Sequence, residues 1–405
     1  METKTSCSSD KDQGEIVSTY FGIDLHKDQI TWHAILVSSN GTIGRQNGMV
    51  PTDRILEDFI PLLSGSKSYA VVEASSSSFF FYGQIASHCE KAIIVNPSAF
   101  RELYMTGKKT DRIDARKLAD RLKYHIEMGK EDSNFPEVYI PDAEALEVRR
   151  LVTMYEMLVK QGTQIKNRLK AVFTAKLISE YENVLEGTLD NVLTDTRLDR
   201  ADKAIIKTLK NIHDTLQLEK KAIKDEILAI GSKRFRHEVE LIIGVSGISS
   251  LGAIIFMSDV VTVDRFTSSK RITSYLASVG KVDASGNTIR NGGLNKRGRR
   301  SAYRFILQGL EHIVSNNPNF IQFKEHHART RANKVRAAIV RKTFVTLYYM
   351  LKNNEPYRFR DERCYNRKLK EFEKLFSENS LNSSLIEAYT DCSYRESIFC
   401  SIMRI

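Results

Sequence analysis

Cysteine is scarce and unpaired in this chain. Cys7, Cys89, Cys364, Cys392 and Cys400 are the only five in 405 residues, and none form a Cys-x-x-Cys pair. That spacing excludes a zinc ribbon, gives no disulfide framework and fits a reducing, intracellular compartment. Long apolar runs are missing as well. A bilayer span needs roughly 18 or more apolar residues. The nearest stretch, Leu241 to Met257, is interrupted by glycines and serines, so no membrane contact is expected. Met1 to Glu15 is polar and lacks the apolar core of a secretory signal. Residues 1–17 read as a disordered N-terminus.

What the chain has in excess is positive charge, with 61 Lys and Arg against 50 Asp and Glu, a net +11. The excess is local. Residues 291 to 342 hold twelve Lys or Arg and two Glu. A block of that kind suggests phosphate contacts more than solubility. Arg304 lies inside it, as do Lys296, Arg297, Arg299 and Arg300, the densest part.

A second basic run carries acids. Lys108-Lys109-Thr110-Asp111-Arg112-Ile113-Asp114-Ala115-Arg116 reads as a helix. At a spacing of three, Asp111 and Asp114 share one helix face. Side by side they repel unless a cation sits between them. The natural cation is Mg²⁺, a hard ion that takes carboxylate oxygens. The Lys and Arg around them suggest a phosphate as the other ligand.

Two more acids lie upstream. Thr19 to Asp24 reads as a strand ending in an acid, and Tyr69 to Glu73 as another. Between them Ile30 to Val37 and Gly41 to Arg45 read as strands, with turn signals at His26-Lys27-Asp28 and Ser38-Ser39-Asn40-Gly41. Asp53 to Leu63 and Phe79 to Cys89 read as helices and Ala92 to Val95 as a strand. The order is β-β-β-α-β-α-β-α. In an open α/β sheet, ligands collect at the carboxyl ends of the strands. Each acid alone has an ordinary reading: a turn residue at Asp24, a helix cap at Glu73, a solvated face at Asp111 and Asp114. Together they point to a metal site built from Asp24, Glu73, Asp111 and Asp114.

Asn134 to Pro141, with two prolines, reads as a linker, and the chain is strongly helical from Asp142 onward. Ile205, Leu209, Ile212, Leu216, Ile223, Ile227 and Ile230 follow the spacing of a coiled-coil or helical-hairpin seam. Ile243 to Ala253 has the glycines of a tight turn between two short helices. That resembles a helix-hairpin-helix, in which backbone N–H groups grip phosphates. Ser285-Gly286 reads as part of a flexible loop, followed by the Gly- and Arg-rich stretch Gly292 to Arg300. Alone, Ser-Gly signals no more than a turn.

Taken in order, these elements resemble the DEDD-type transposases of bacterial insertion sequences, the group that includes the Piv invertases. The matching residues are Gly22-Ile23-Asp24, Val72-Glu73, Lys109 to Ala115, and the helix Leu146 to Leu169 with Arg149, Arg150, Asn167 and Arg168. Downstream they are Ile243 to Gly252, Asp264-Arg265-Phe266, Ser285-Gly286 and Gly293 to Arg300. The resemblance implies an α/β N-terminal domain of RuvC-like, RNase H fold over residues 18–130. A helical coiled-coil region over 142–235 and a mainly α C-terminal transposase domain over 240–356 follow. Residues 357–405, a variable tail, match nothing. It implies Mg²⁺ or Mn²⁺ on Asp24, Glu73, Asp111 and Asp114, and Ser285 as nucleophile, with Ser278 and Ser274 in reserve because the stretch before Ser285 is shorter than usual. Lys108, Lys109, Arg112, Arg116 and Arg168 join the later arginines as nucleic-acid contacts. The expected partners are double-stranded DNA, a structured non-coding RNA of the kind some members use, and further copies of the chain as a homodimer or tetramer. The expected place is the bacterial-type cytoplasm, at the nucleoid. The competing expectation is a junction-resolving nuclease that needs the metal acids and no serine.

Overall fold

The computed structural model describes residues 15–99, 110–129, 135–179, 184–187, 189–285, 288–295 and 298–389. The chain divides into two compact units, Met1–Ile140 and Pro141–Ile405.

The first unit is built on a five-stranded sheet of β1 (Ile16–Leu25), β2 (Gln29–Ser38), β3 (Ile43–Pro51), β4 (Lys67–Glu73) and β5 (Lys91–Val95), in spatial order β3-β2-β1-β4-β5. The first three strands form an antiparallel meander, and β4 and β5 continue parallel to β1. Alternation along β1 and β4 sorts side chains between two faces. Phe21, Ile23, Ala70 and Val72 enter one core with Phe59 and Phe81. Tyr20 and Val71 enter another with Leu118, Ala119 and Leu122 of α2 (Asp111–Met128). Helix α1 spans Ser78–Ile85.

Several expectations shift here. Ile16 and Val17 open β1 rather than belonging to a disordered end, because Ile16 pairs with Ser38 and the Ser39 N–H donates to the Glu15 carbonyl. Residues 1–14 lie outside the described residues. Residues 52–63 form a chain of 3₁₀ and π turns instead of one α-helix. Pro61 lacks the N–H that a regular ladder would need there. Residues 135–140 do not hang free as a linker. The Val138 N–H donates to the Ile94 carbonyl and the Asn96 N–H to the Pro136 carbonyl, along the edge of β5.

The second unit is mostly helical. Helices α3 (Ala143–Ala175) and α5 (Arg200–Arg234) run in opposite directions, with the short α4 (Asp190–Thr194) between them. Near the start of α3, Ala145, Val148 and Val152 share a core with Ile227 and Leu228. At its far end, Ile165, Leu169 and Phe173 share another with Leu198 and Ile206. The seam is therefore closed within the chain. Its register is one step off at two places: Ile205 and Ile212 face out, and Ile206 and His213 are buried instead.

The larger core gathers α6 (Arg236–Ile242), α7 (Ser250–Val260), α8 (Ser269–Tyr275), α9 (Ser301–Gln308), α10 (Leu310–Ser315), α11 (Pro318–His326) and α12 (Ala332–Asn353). The tail contributes α13 (Glu362–Tyr389), whose Phe372 is fully buried in this core. Between α8 and α9 stands a hairpin of β6 (Gly280–Ser285) and β7 (Thr288–Leu294).

The α6–α7 turn has a packing role. Gly247 takes φ +86°, a conformation that favours glycine. A Cβ added at Gly247 or at Gly309 would strike the other residue's backbone. Val245, Ser246 and Ile248 are buried. The carbonyls of Ile243, Val245 and Ile248 all accept from the Lys368 ammonium of α13, at 3.0, 3.0 and 2.8 Å. The turn that resembles a phosphate-gripping hairpin thus packs on α10 and is filled from the tail.

Candidate metal centre and basic surface

The parallel register pairs Ile23 with Val72, so Asp24 and Glu73 come next on neighbouring strands, at the carboxyl edge. Ile23 and Val72 face one core, so the two acids face the opposite side, the side covered by α2. Gly22 makes that cover close. A Cβ there would collide with the backbone of Ala115 and Ala119, so only glycine lets α2 approach β1 this far. The same contact sets the start of α2 beside the end of β1.

Helix α2 begins at Asp111, with Thr110 as its N-cap accepting from the Ile113 N–H at 3.4 Å. Asp111 and Asp114 fall in its first turn, where the helix dipole favours negative charge. Asp24 and Asp111 meet through a residue that sequence reasoning set aside as a loop position. His26 Nε2 lies 3.3 Å from Asp24 Oδ2 and 3.3 Å from Asp111 Oδ2. His26 does sit in the β1–β2 turn, its N–H donating to the Gln29 carbonyl. A histidine two residues beyond a strand-end aspartate was the available signal.

Ligand atoms of Asp24, His26 and Asp111 lie within 4.8 Å of one another. Burial raises the Asp24 carboxyl above its ordinary value of 3.8. His26 pulls it down, while the charges of Asp111 and then Asp114 push it up. Asp111 and Asp114 are close enough to disfavour the ionisation of Asp24, and a cation between them removes that cost. The donor set fits a divalent ion. Two carboxylates suit Mg²⁺ or Mn²⁺, and an imidazole broadens the choice toward softer metals. Asp114 contributes charge to Asp24, and Glu73 ends the neighbouring strand, half-buried. Neither belongs to the three-residue cluster.

The second unit holds the other candidates. Ser285 is the last residue of β6, paired with Thr288 across the hairpin tip. The expected flexible loop is an ordered hairpin up to that point, and residues 286–287 lie outside the described residues. The reserve serines differ. Ser278 is buried and its hydroxyl donates to the Thr273 carbonyl at 2.7 Å. Ser274 is exposed on α8.

The nucleic-acid candidates are distributed unevenly. Lys108, Lys109, Lys296 and Arg297 lie outside the described residues. Arg112, Arg116 and Arg168 are exposed, with Arg116 3.6 Å from Asp120. Arg299 is engaged internally, 3.1 Å from the buried Asp259. Burial pushes the Asp259 carboxyl up, opposed by Arg299, the Ala302 N–H and Arg149. Arg149 itself donates to the carbonyls of Ser258 and Asp259. These contacts anchor the loop between the hairpin and α9. Arg304 pairs with Glu156 at 2.7 Å. Arg300 keeps a buried Nε without a hydrogen-bond partner.

Two family models match the chain, and together they cover more than half of it. Residues 21–177 match a DEDD transposase model of the IS110 group, described as transposase. Residues 239–325 match a model described as transposase, IS116/IS110/IS902 family. The chain belongs to the DEDD-type insertion-sequence transposases. No curated protein matches it. No described helix is long and apolar enough to cross a membrane.

Proposed function

We propose that this transposase cuts and rejoins DNA strands with two sets of residues, a divalent-metal carboxylate site in the first unit and a serine nucleophile, Ser285, in the second. The observation that carries the reading is the convergence of Asp24 and Asp111 on one point at the carboxyl edge of a β3-β2-β1-β4-β5 sheet. That strand order, three antiparallel strands continued by two parallel ones, supports the RNase H-like, RuvC-like reading of the unit. Asp24, Asp111, Asp114 and Glu73 hold the metal, with His26 able to join them. When bound, Mg²⁺ or Mn²⁺ stabilises charge on the phosphate oxygens.

The chain's own residues do the rest. Ser285 Oγ forms a bond to phosphorus as its proton leaves, and the bond from phosphorus to a neighbouring sugar oxygen breaks. That sugar oxygen departs as a hydroxyl. A sugar hydroxyl of another strand then reverses the exchange and frees the serine. The phosphoester is conserved throughout, so joining needs no ATP. Arg112, Arg116, Arg168, Arg300 and the undescribed Lys108, Lys109, Lys296 and Arg297 bind the backbone phosphates. Exchange between two duplexes requires at least two copies of the chain, hence a homodimer or tetramer. A structured non-coding RNA as a guide is part of the same reading, as is an intracellular site of action at the DNA.

The test is to incubate labelled, nicked substrate with Mg²⁺, denature, and look for DNA-linked protein on a gel. Linkage is expected in the wild type and lost in Ser285→Ala. Linkage that survives Ser285→Ala moves the nucleophile to another residue. Efficient cleavage by the wild type with no linkage supports the junction-resolving nuclease instead.

A further inference from the structure

A cleft of about 710 Å³ opens at the base of the β6–β7 hairpin, well away from the serine at its tip. One wall is hairpin backbone at Gly280, Gly292 and Gly293. A Cβ added at Gly293 would meet nothing within 4 Å, so a ligand can come directly against the main chain there. The floor is apolar, lined by Leu294, Leu307, Ala337, Ala338 and the largely buried Tyr303. The rim carries Arg331, just before α12, and Lys334, Arg336 and Arg341 from its first half. All four are exposed, no acidic side chain lines the cleft, and none of the four has a carboxylate partner among the described residues.

This combination is specific in its chemistry. Four unneutralised cations on one rim call for a polyanion. An apolar floor with an aromatic ring does not suit phosphate, which stays solvated, but suits a planar heterocycle. The volume lies within the usual range for a small-molecule-sized site, roughly 300–1,000 Å³. Paired bases cannot reach such a floor, because the duplex keeps them stacked inside.

We propose that this cleft holds an unpaired nucleotide of a nucleic-acid strand, its base on the Tyr303, Leu294 and Leu307 floor and its flanking phosphates on Arg331, Lys334, Arg336 and Arg341. The inference rests on the reading of the chain as an enzyme of nucleic acids and adds a site that grips the strand by a displaced base. From Gly280 to Ser285 the strand rises about 17 Å at ~3.4 Å per residue. The cleft therefore anchors the strand a few nucleotides from the serine and fixes its register against the hairpin tip. The strand's source is DNA or RNA, and both offer the same base and phosphate.

The experiment uses the full chain and duplexes bearing one unpaired 2-aminopurine, made as DNA and as RNA, against fully paired duplexes of equal length. Wild-type protein is expected to bind at least one bulged form about tenfold tighter than its paired counterpart, near the low end of base–aromatic stacking. The 2-aminopurine emission should change on binding. The arm that shows the preference identifies the strand. Ala337→Trp fills the floor and should abolish the preference. Arg336→Gln with Arg341→Gln should lower the salt slope by about 1 to 2. Thermal melting establishes that each variant is folded, and the wild-type emission change stands without any variant. Equal affinity for bulged and paired forms in both arms overturns the proposal, as does a preference that survives Ala337→Trp. Cleavage is scored separately. Intact Asp111-dependent cleavage with no bulge preference rejects the cleft alone, and absent cleavage rejects the function.

Discussion

In the N-terminal unit two carboxylates, Asp24 and Asp111, share one imidazole at a strand edge. In the C-terminal unit four cations, Arg331, Lys334, Arg336 and Arg341, share a cleft that no carboxylate lines. Both gather like charge where a fold selected only for stability would disperse it. They differ in how they are held. The acids are placed by backbone register and by a helix packed on Gly22. The cations are exposed side chains around one cleft, on Arg331 and helix α12, free to follow a backbone of variable path. The first is suited to chemistry at a fixed point, the second to holding a long polyanion.

The comparison is broken most severely at Asp111. Asp111→Ala should lower strand cleavage at least 100-fold, the upper range for loss of a group that only supports a metal ligand. Binding of uncleaved DNA should change little, since phosphate contacts dominate affinity. Cleavage assays paired with filter binding check both, and undiminished cleavage would remove Asp111 from the site. Gly22→Ala comes next. Its Cβ must push α2 off β1, at a cost of about 1–3 kcal/mol, and the separation of Asp24 from Asp111 should reduce cleavage as well. Denaturant unfolding and activity should fall together. An Ala variant of wild-type stability and activity would refute the close-packing argument.

Lys368→Met isolates the C-terminal unit. Three buried carbonyls lose their donor, which should cost about 1–3 kcal/mol without affecting metal binding. The smallest effect is expected at Asp142, which caps α3 through the Ala145 N–H at 2.9 Å and meets Arg234 of α5 at 2.8 Å. Burial pushes its carboxyl up, but Arg234 and the Ala145 N–H prevail and hold it below 3.8. The folded-state value is depressed, so this contribution is present above about pH 3.8 and lost as pH falls through the lower folded value. Asp142→Ala should cost about 1 kcal/mol at neutral pH, with the deficit vanishing in acid. An equal deficit at pH 2 and pH 7 would contradict the assignment.

Much of the N-terminal unit was legible because its signals are local. β-branched runs ending in acids mark β1 and β4, and the Lys-Thr-Asp-Arg run marks the start of α2. His26 was not, because its role depends on a turn closed by Gln29 and on a helix more than eighty residues away. In the second unit the glycines correctly marked the α6–α7 turn. Its use was hidden, since Gly309 and Lys368, which cover it, lie far along the chain. The seam of α5 was readable as a period but not in phase. Which of Ile205 and Ile206 faces inward is decided by α3, not by spacing. The basic block gave the right charge and obscured its division. Arg299 and Arg304 are tied to Asp259 and Glu156, whereas Lys334, Arg336 and Arg341 of α12 have no carboxylate partner among the described residues.

The central claim is that Asp24 and Asp111 form a divalent-metal site, and Mn²⁺ binding tests it most directly. Electron paramagnetic resonance on the full chain should show bound Mn²⁺ that Mg²⁺ displaces. Asp24→Asn with Asp111→Asn should abolish it while leaving the melting temperature within a few degrees of wild type. Mn²⁺ bound equally by the wild type and the double variant, or by neither, would contradict the account.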